Sequence, residues 1–264
     1  MMGDRDLTTF YFDKLDLGII LEPHTFYVLQ ANTRLLSQFS DIQKEAEFVE
    51  QQRLEFLSKH FDPERDDEGD VFEDAYQEGI SHWLALNEMH NTVTLALTAG
   101  MFHQFDKQLR EKTARELSTW NAGRNVDETV WDMGFPSLIK LLEWIGIEIT
   151  NQPFYEKIDA CRLVVNVYKH GNGDAHDELI KKYPVYYPSR YKNPRPYSWM
   201  KARHDELKVS STQFNEFAEA ITQFWENIPF SCHYSLLEGK NDLLTNMIDA
   251  YDGKQKRRKK PQTQ

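Results

Sequence analysis

From about Val71 to Leu117, apolar side chains recur every three or four residues, and the glycines in this run are Gly79 and Gly100. Ile80, Trp83, Leu84, Leu86, Met89, Val93, Leu95, Ala96, Leu97, Met101, Phe102 and Phe105 cover a wide arc of one helix. A helix apolar over so much of its circumference has to be surrounded, so it is expected at the centre of a bundle. Each glycine weakens a helix by about 1 kcal/mol relative to alanine and marks a place to bend or break. Glycine and proline are scarce overall (12 and 10), and the same spacing recurs elsewhere. The expectation is an all-α helical bundle, a single domain over 1–253, with little room for a sheet.

The flanking segments are read from caps and breakers. Residues 8–21 alternate poorly, and Phe26 to Leu29 fits a short strand or part of a helix. Ser40 is the expected N-cap of a helix carrying Ile42, Ala46, Val49, Leu54, Leu57 and Phe61, ended by Asp62-Pro63. The span 118–133 reads as a loop. Pro136 opens a short helix through Ile145, and Pro153 opens another. Ser210 or Ser211 caps a helix bearing Phe214, Phe217, Ile221, Phe224 and Trp225, which Pro229 stops. A weaker helix is expected from Leu236 to Tyr251.

Charge narrows the function classes. The chain of 264 residues carries 42 acidic and 31 basic side chains, a formal net charge of −11. Six of the basic ones (Lys254, Lys256, Arg257, Arg258, Lys259 and Lys260) crowd the last eleven residues, leaving −17 on residues 1–253. That body repels a phosphate backbone at long range, which excludes broad non-specific nucleic-acid binding. The tail, 254–264, is expected to be disordered and solvated. A second charge block lies at 62–74, where eight acids face the single Arg65. No run approaches 18 apolar residues, and Met1 to Phe12 lacks a basic segment leading into an apolar one. A cytoplasmic chain without membrane association is therefore expected. With only Cys161 and Cys232, there is neither a disulfide framework nor a cysteine-based zinc site.

The run 153–173, PFYEKIDACRLVVNVYKHGNG, carries the densest chemical signal. Phe154, Ile158, Cys161, Val165 and Tyr168 define one apolar helix face. Arg162, Asn166 and His170 follow a second stripe, with Lys169 beside it and Asp159 three residues before Arg162. Gly171-Asn172-Gly173 is a C-terminal cap sequence, placing His170 on the last turn. Arg-x3-Asn-x2-Lys-His-Gly-x-Gly at a helix end resembles a pattern in bacterial helical proteins. Those in turn resemble the HEPN superfamily (higher eukaryotes and prokaryotes nucleotide-binding domains), which includes abortive-infection-type toxins.

The resemblance implies a helical bundle that often dimerises. It further implies a metal-independent endoribonuclease or toxin acting in bacterial defence, with no cofactor. Carried over, His170 matches the catalytic histidine and Asn166 the polar residue, with Arg162 and Lys169 supplying positive charge. Seven residues separate Arg162 from His170, against four to six in the superfamily motif, so a homodimer offers a second way to bring Arg162 of one chain near His170 of the other. The chemistry suits phosphodiester cleavage, which needs a base, an acid and a cation on the developing phosphorane. The alternative leaves Arg162 and Lys169 solvated and Asn166 and His170 bonded to backbone.

Residues 171–200 read as an irregular, partly exposed loop. Lys181, Lys182, Arg190, Lys192, Arg195, Lys201 and Arg203 interleave with Tyr183, Tyr186, Tyr187, Tyr191, Tyr197 and Trp199. That mixture suits single-stranded RNA, with Asn172, Lys181, Lys182, Arg190 and Arg195 as substrate contacts beside Asp174 and His176. It also suits a protein partner held by the 181–203 loop or the basic tail, or a loop packed on the chain's own body with arginines stacked on the rings. Two functions stay open: the endoribonuclease, and a non-catalytic helical interaction or regulatory protein. His82, Glu88 and His90 lack the histidine spacing of a helical metalloprotease, and no metal site is expected. There is no phosphate-binding loop before a helix and no Gly-x-Ser-x-Gly elbow.

Overall fold

A computed structural model describes residues 7–121, 124–188, 202–240 and 242–258. It is all-α apart from one two-stranded sheet. The helices are α1 (Lys14–Gln30), α2 (Ile42–Ser58), α3 (Glu68–Trp120), α4 (Val126–Asp132), α5 (Phe135–Trp144), α6 (Tyr155–His170), α7 (Asp174–Lys182), α8 (Ser211–Glu226) and α9 (Leu243–Arg258). The strands are β1 (Thr8–Tyr11) and β2 (Ser231–His233). Among the described residues, no helix is long and apolar enough to cross a membrane.

The chain divides into two units, one of residues 1–25, 100–163 and 216–264, the other of residues 26–99 and 164–215. The division falls inside α1, α3, α6 and α8.

The first unit is built on large aromatic rings. Phe105 meets Phe224 edge-to-face at 5.0 Å and Trp225 at 5.8 Å, and Phe12 stacks on Trp225. Leu109, Leu138, Ile158 and Phe217 are fully enclosed around them. The antiparallel pair β1–β2 sets Phe10 opposite Cys232, placing both inside. Here α4 forms within a span expected to be a loop. Arg110 explains it: one guanidinium nitrogen donates to the Val130 and Met133 carbonyls at 2.6 and 2.8 Å, capping the end of α4, while Nε donates to Asp106. That cap comes from a distant helix and leaves no local signature.

The second unit contains the paired helices α2 and α3 up to residue 99. Gly79 is buried, and a Cβ there would lie 2.9 Å from the Glu50 Cβ and 3.3 Å from the Ala46 carbonyl. Neither it nor Gly100 breaks α3, which runs uninterrupted. Gly79 marks a close approach of α2, where a bend was expected. Arg53 clasps Asp74 through two hydrogen bonds of 2.6 and 3.1 Å. Asn91 donates to the Leu207 carbonyl, Tyr27 donates to the Leu97 carbonyl, and Phe39 stacks on His90.

Several boundaries differ from expectation for local reasons. Phe26 to Leu29 is helical. Ser40 does not cap α2, because it already has helical dihedrals as the end of a 3-10 turn, and Asp41 takes the cap position. Ser210 does cap α8: its Oγ accepts from the Gln213 N–H while Gln213 Oε1 accepts from the Ser210 N–H. Residues 174–182, expected to be loop, form α7, with Asp174 and Asp177 in the first turn and Lys181 and Lys182 in the last. Helix α9 reaches Arg258, five residues into the stretch expected to be a disordered tail; 259–264 lie outside the described residues.

Candidate functional site

Helix α6 buries Phe154, Ile158, Cys161 and Val165, as their spacing requires, and burial pushes the Cys161 thiol pKa up. The fifth member of that face, Tyr168, points outward. The helix ends at Gly171 (φ +70°), whose N–H donates to the Val167 carbonyl at 2.8 Å. This is the left-handed single-bond cap that the Gly-x-Gly sequence called for.

The polar stripe of α6 divides by environment. Arg162 is largely buried and donates through Nε and Nη2 to one oxygen of Asp159, at 3.0 and 2.6 Å. Asn166 is half-buried, whereas Lys169 and His170 are exposed and carry no hydrogen bond or ion pair among the described residues. Eight residues of helix correspond to about 12 Å of rise, so Arg162 is two turns from His170 on a common helix. A neighbouring carboxylate therefore already occupies the guanidinium expected to serve a phosphate.

Past the cap, the second unit gathers polar groups that the sequence scatters. His204 Nδ1 donates to Asn172 Oδ1 at 3.0 Å, and its ring lies against Gly171, where a Cβ would come within 3.3 Å of Cδ2. His176 is buried, its ring 6.4 Å from that of His204 and nearly perpendicular to it. His176 Nε2 lies 2.9 Å from the Ala202 carbonyl, so it must donate, and in the neutral ring Nδ1 accepts from Tyr187 Oη at 2.8 Å. Burial raises the Tyr187 pKa. His176 is thus a pin between α7, Tyr187 and the segment starting at Ala202. Lys181 is exposed, and Lys182 pairs with Glu178 at 2.6 Å. Arg190 and Arg195 lie outside the described residues. No sequence signal pointed to His204, which is 34 positions from His170 in the chain.

A second surface stands out because burial was expected for three of its residues, Ile80, Trp83 and Leu84. Helix α3 buries Leu95, Met101, Phe102 and Phe105, but Phe72, Tyr76, Ile80, Trp83 and Leu84 are 59%, 50%, 36%, 39% and 55% exposed. Their spacing puts them along one side of the helix, next to the face that Ala75 and Gly79 turn toward α2. At the outer end of the hairpin, a groove of about 240 Å³ is lined by Leu54, Ser58, Phe61, Glu68, Val71 and Phe72. Periodicity reports that a helix face is apolar, not which molecule covers it.

No protein-family model, curated protein or solved structure matches the chain.

Proposed function

We propose that this chain is a helical interaction protein that holds another protein on the exposed side of α3, within its α2–α3 hairpin. The observation that carries the reading is the row Phe72, Tyr76, Ile80, Trp83 and Leu84, which has the composition of a core and the exposure of a surface. Contiguous apolar surface of this kind marks interaction sites. The occupant is a different protein, because a second copy would bring together two hairpins whose 62–74 segments each hold eight acids against one arginine. A photo-crosslinking residue at Ile80, with one at the exposed Glu47 of α2 as control, tests this in the host cell. Adducts with a distinct polypeptide at position 80 alone, lost on Tyr76→Ser/Leu84→Ser, support it. Equal labelling at both positions, or adducts only with the chain itself, overturn it.

The endoribonuclease is the second reading, favoured by His170 and Lys169 being exposed, without a hydrogen bond or ion pair among the described residues, and close in sequence to the Asn172–His204 pair. In it, His170 exchanges the proton of the attacking hydroxyl and Lys169 faces the phosphate; Arg162 orders Asp159. Its test is RNA cleavage by the intact chain, with His170→Ala expected to abolish turnover and to leave the melting temperature unchanged. Cleavage at the wild-type rate in that variant removes the reading.

A further inference from the structure

We infer that the segment seated on the α2–α3 hairpin is a basic amphipathic helix, an inference that rests on the partner-holding role proposed above.

The shape of the surface comes first. From Phe72 to Leu84 the row spans thirteen residues, about 18 Å of helix from first to last. Steps of four, four and three between Phe72, Tyr76, Ile80 and Trp83 match the repeat by which one helix packs along another. A straight apolar seam beside an existing helix pair is filled by a third helix. An extended strand has no role there, since the backbone groups in the middle of a helix are already bonded within it. The groove beside Phe72 gives that third helix an end point, with room for one large apolar side chain against Leu54, Phe61 and Val71.

Charge then selects the chemistry. Between Asp62 and Leu84 lie nine acidic side chains and one arginine. Some carboxylates have local work: Asp62, Asp66 and Asp67 accept from backbone N–H groups, Asp74 holds Arg53, and Glu73 accepts from Gln77. Glu64, Glu68 and Asp70 are exposed without such a bond or an ion pair among the described residues, and Glu68 itself lines the groove. A helix with lysine or arginine flanking its apolar stripe meets these carboxylates as its apolar side enters the seam. An acidic helix, an anionic lipid surface and a nucleic acid are all repelled by the same groups.

The experiment uses the full chain and two labelled synthetic peptides of equal length and apolar pattern. Both carry leucines at i, i+4, i+7 and i+11; the remaining positions are lysine and glutamine in one, glutamate and glutamine in the other. Fluorescence anisotropy is expected to show the basic peptide binding at least tenfold more tightly than the acidic one. That binding should weaken with added salt, fall at least tenfold in Glu64→Gln/Glu68→Gln/Asp70→Asn, and be lost in Tyr76→Ser/Leu84→Ser. Circular dichroism and the melting temperature establish that both variants fold. Equal binding of the two peptides, or no binding of the basic one, overturns the basic-helix inference, while the crosslink at position 80 decides separately whether any partner is held there. Sedimentation as a dimer that Tyr76→Ser/Leu84→Ser dissociates assigns the seam to a second copy and overturns both.

Discussion

Arg162 donates two hydrogen bonds to one carboxylate oxygen of Asp159, in a pair whose side chains are 12% and 9% exposed. Removing the acid leaves a guanidinium in a site largely closed to water, at a cost of about 3–5 kcal/mol. Asp159→Ala is therefore expected to be severely destabilised in a denaturant titration. Arg162→Met/Asp159→Leu, which removes both charges and keeps apolar volume, should lose much less than Asp159→Ala. If the double variant is as unstable as the single one, the pair is not what holds this part of α6.

Gly79→Ala tests whether α2 needs that glycine. Helix propensity alone favours alanine by about 1 kcal/mol. The new methyl would sit 2.9 Å from the Glu50 Cβ and 3.3 Å from the Ala46 carbonyl, and neither atom is the free end of a flexible side chain. The steric effect should dominate, so the variant is expected to melt below the wild type and to lose amide protection in α2. A higher melting temperature would mean that the two helices separate at little cost.

The buried His176 bonds to Tyr187 and to the Ala202 carbonyl, so the two substitutions should differ in kind. Tyr187→Phe removes one hydroxyl and leaves Nδ1 unpaired, a loss of about 1–2 kcal/mol. His176→Leu also frees the Ala202 carbonyl and should expose the amides of 204–209 to hydrogen exchange, with α2 unaffected. Uniform loss of protection in both regions would contradict a local role.

What the sequence disclosed follows how local each cause is. The Gly171 cap, a serine cap at 210 or 211 and most of the buried side of α6 depend on residues within four positions of each other, and each was legible. The pairing of Asp159 with Arg162 was visible as spacing, but not its burial. Helix α7 was hidden because the glycine, proline and tyrosine content of 171–200 was read as one loop, although 174–182 alone has helix-favouring charges at both ends. Arg110 capping α4 and His204 reaching Asn172 are long-range contacts with no pattern to read. Of the exposed row on α3, Ile80, Trp83 and Leu84 were legible as apolar and misassigned as core, since a side chain meant for a partner obeys the same periodicity as one meant for the protein's own interior.

Acid should weaken the fold in two stages. His24 is 5% exposed, and burial lowers its pKa below 6.5, with the hydrogen bond from Nε2 to the Ala218 carbonyl opposing that shift. Burial lowers His90 in the same direction. A folded-state pKa below the unfolded one means that stability is fully present above pH 6.5 and is lost as pH falls through the folded values. Asp16 supplies the second stage. Burial works against its ionisation, but the hydrogen bond and charge of Lys112 outweigh it and hold the pKa below 3.8, so its contribution is lost only in stronger acid. On the alkaline side, burial pushes Cys232 up to about 11, so its contribution is complete below pH 9.0 and is lost as pH rises from there through about 11. Melting temperatures measured from pH 8 down to about pH 2 should fall first below about 6.5, and His24→Gln/His90→Gln should flatten that first decline while leaving the one that Asp16 causes below 3.8. A double variant with the wild-type slope between pH 7 and pH 5 would show that these two rings are not what acid attacks first.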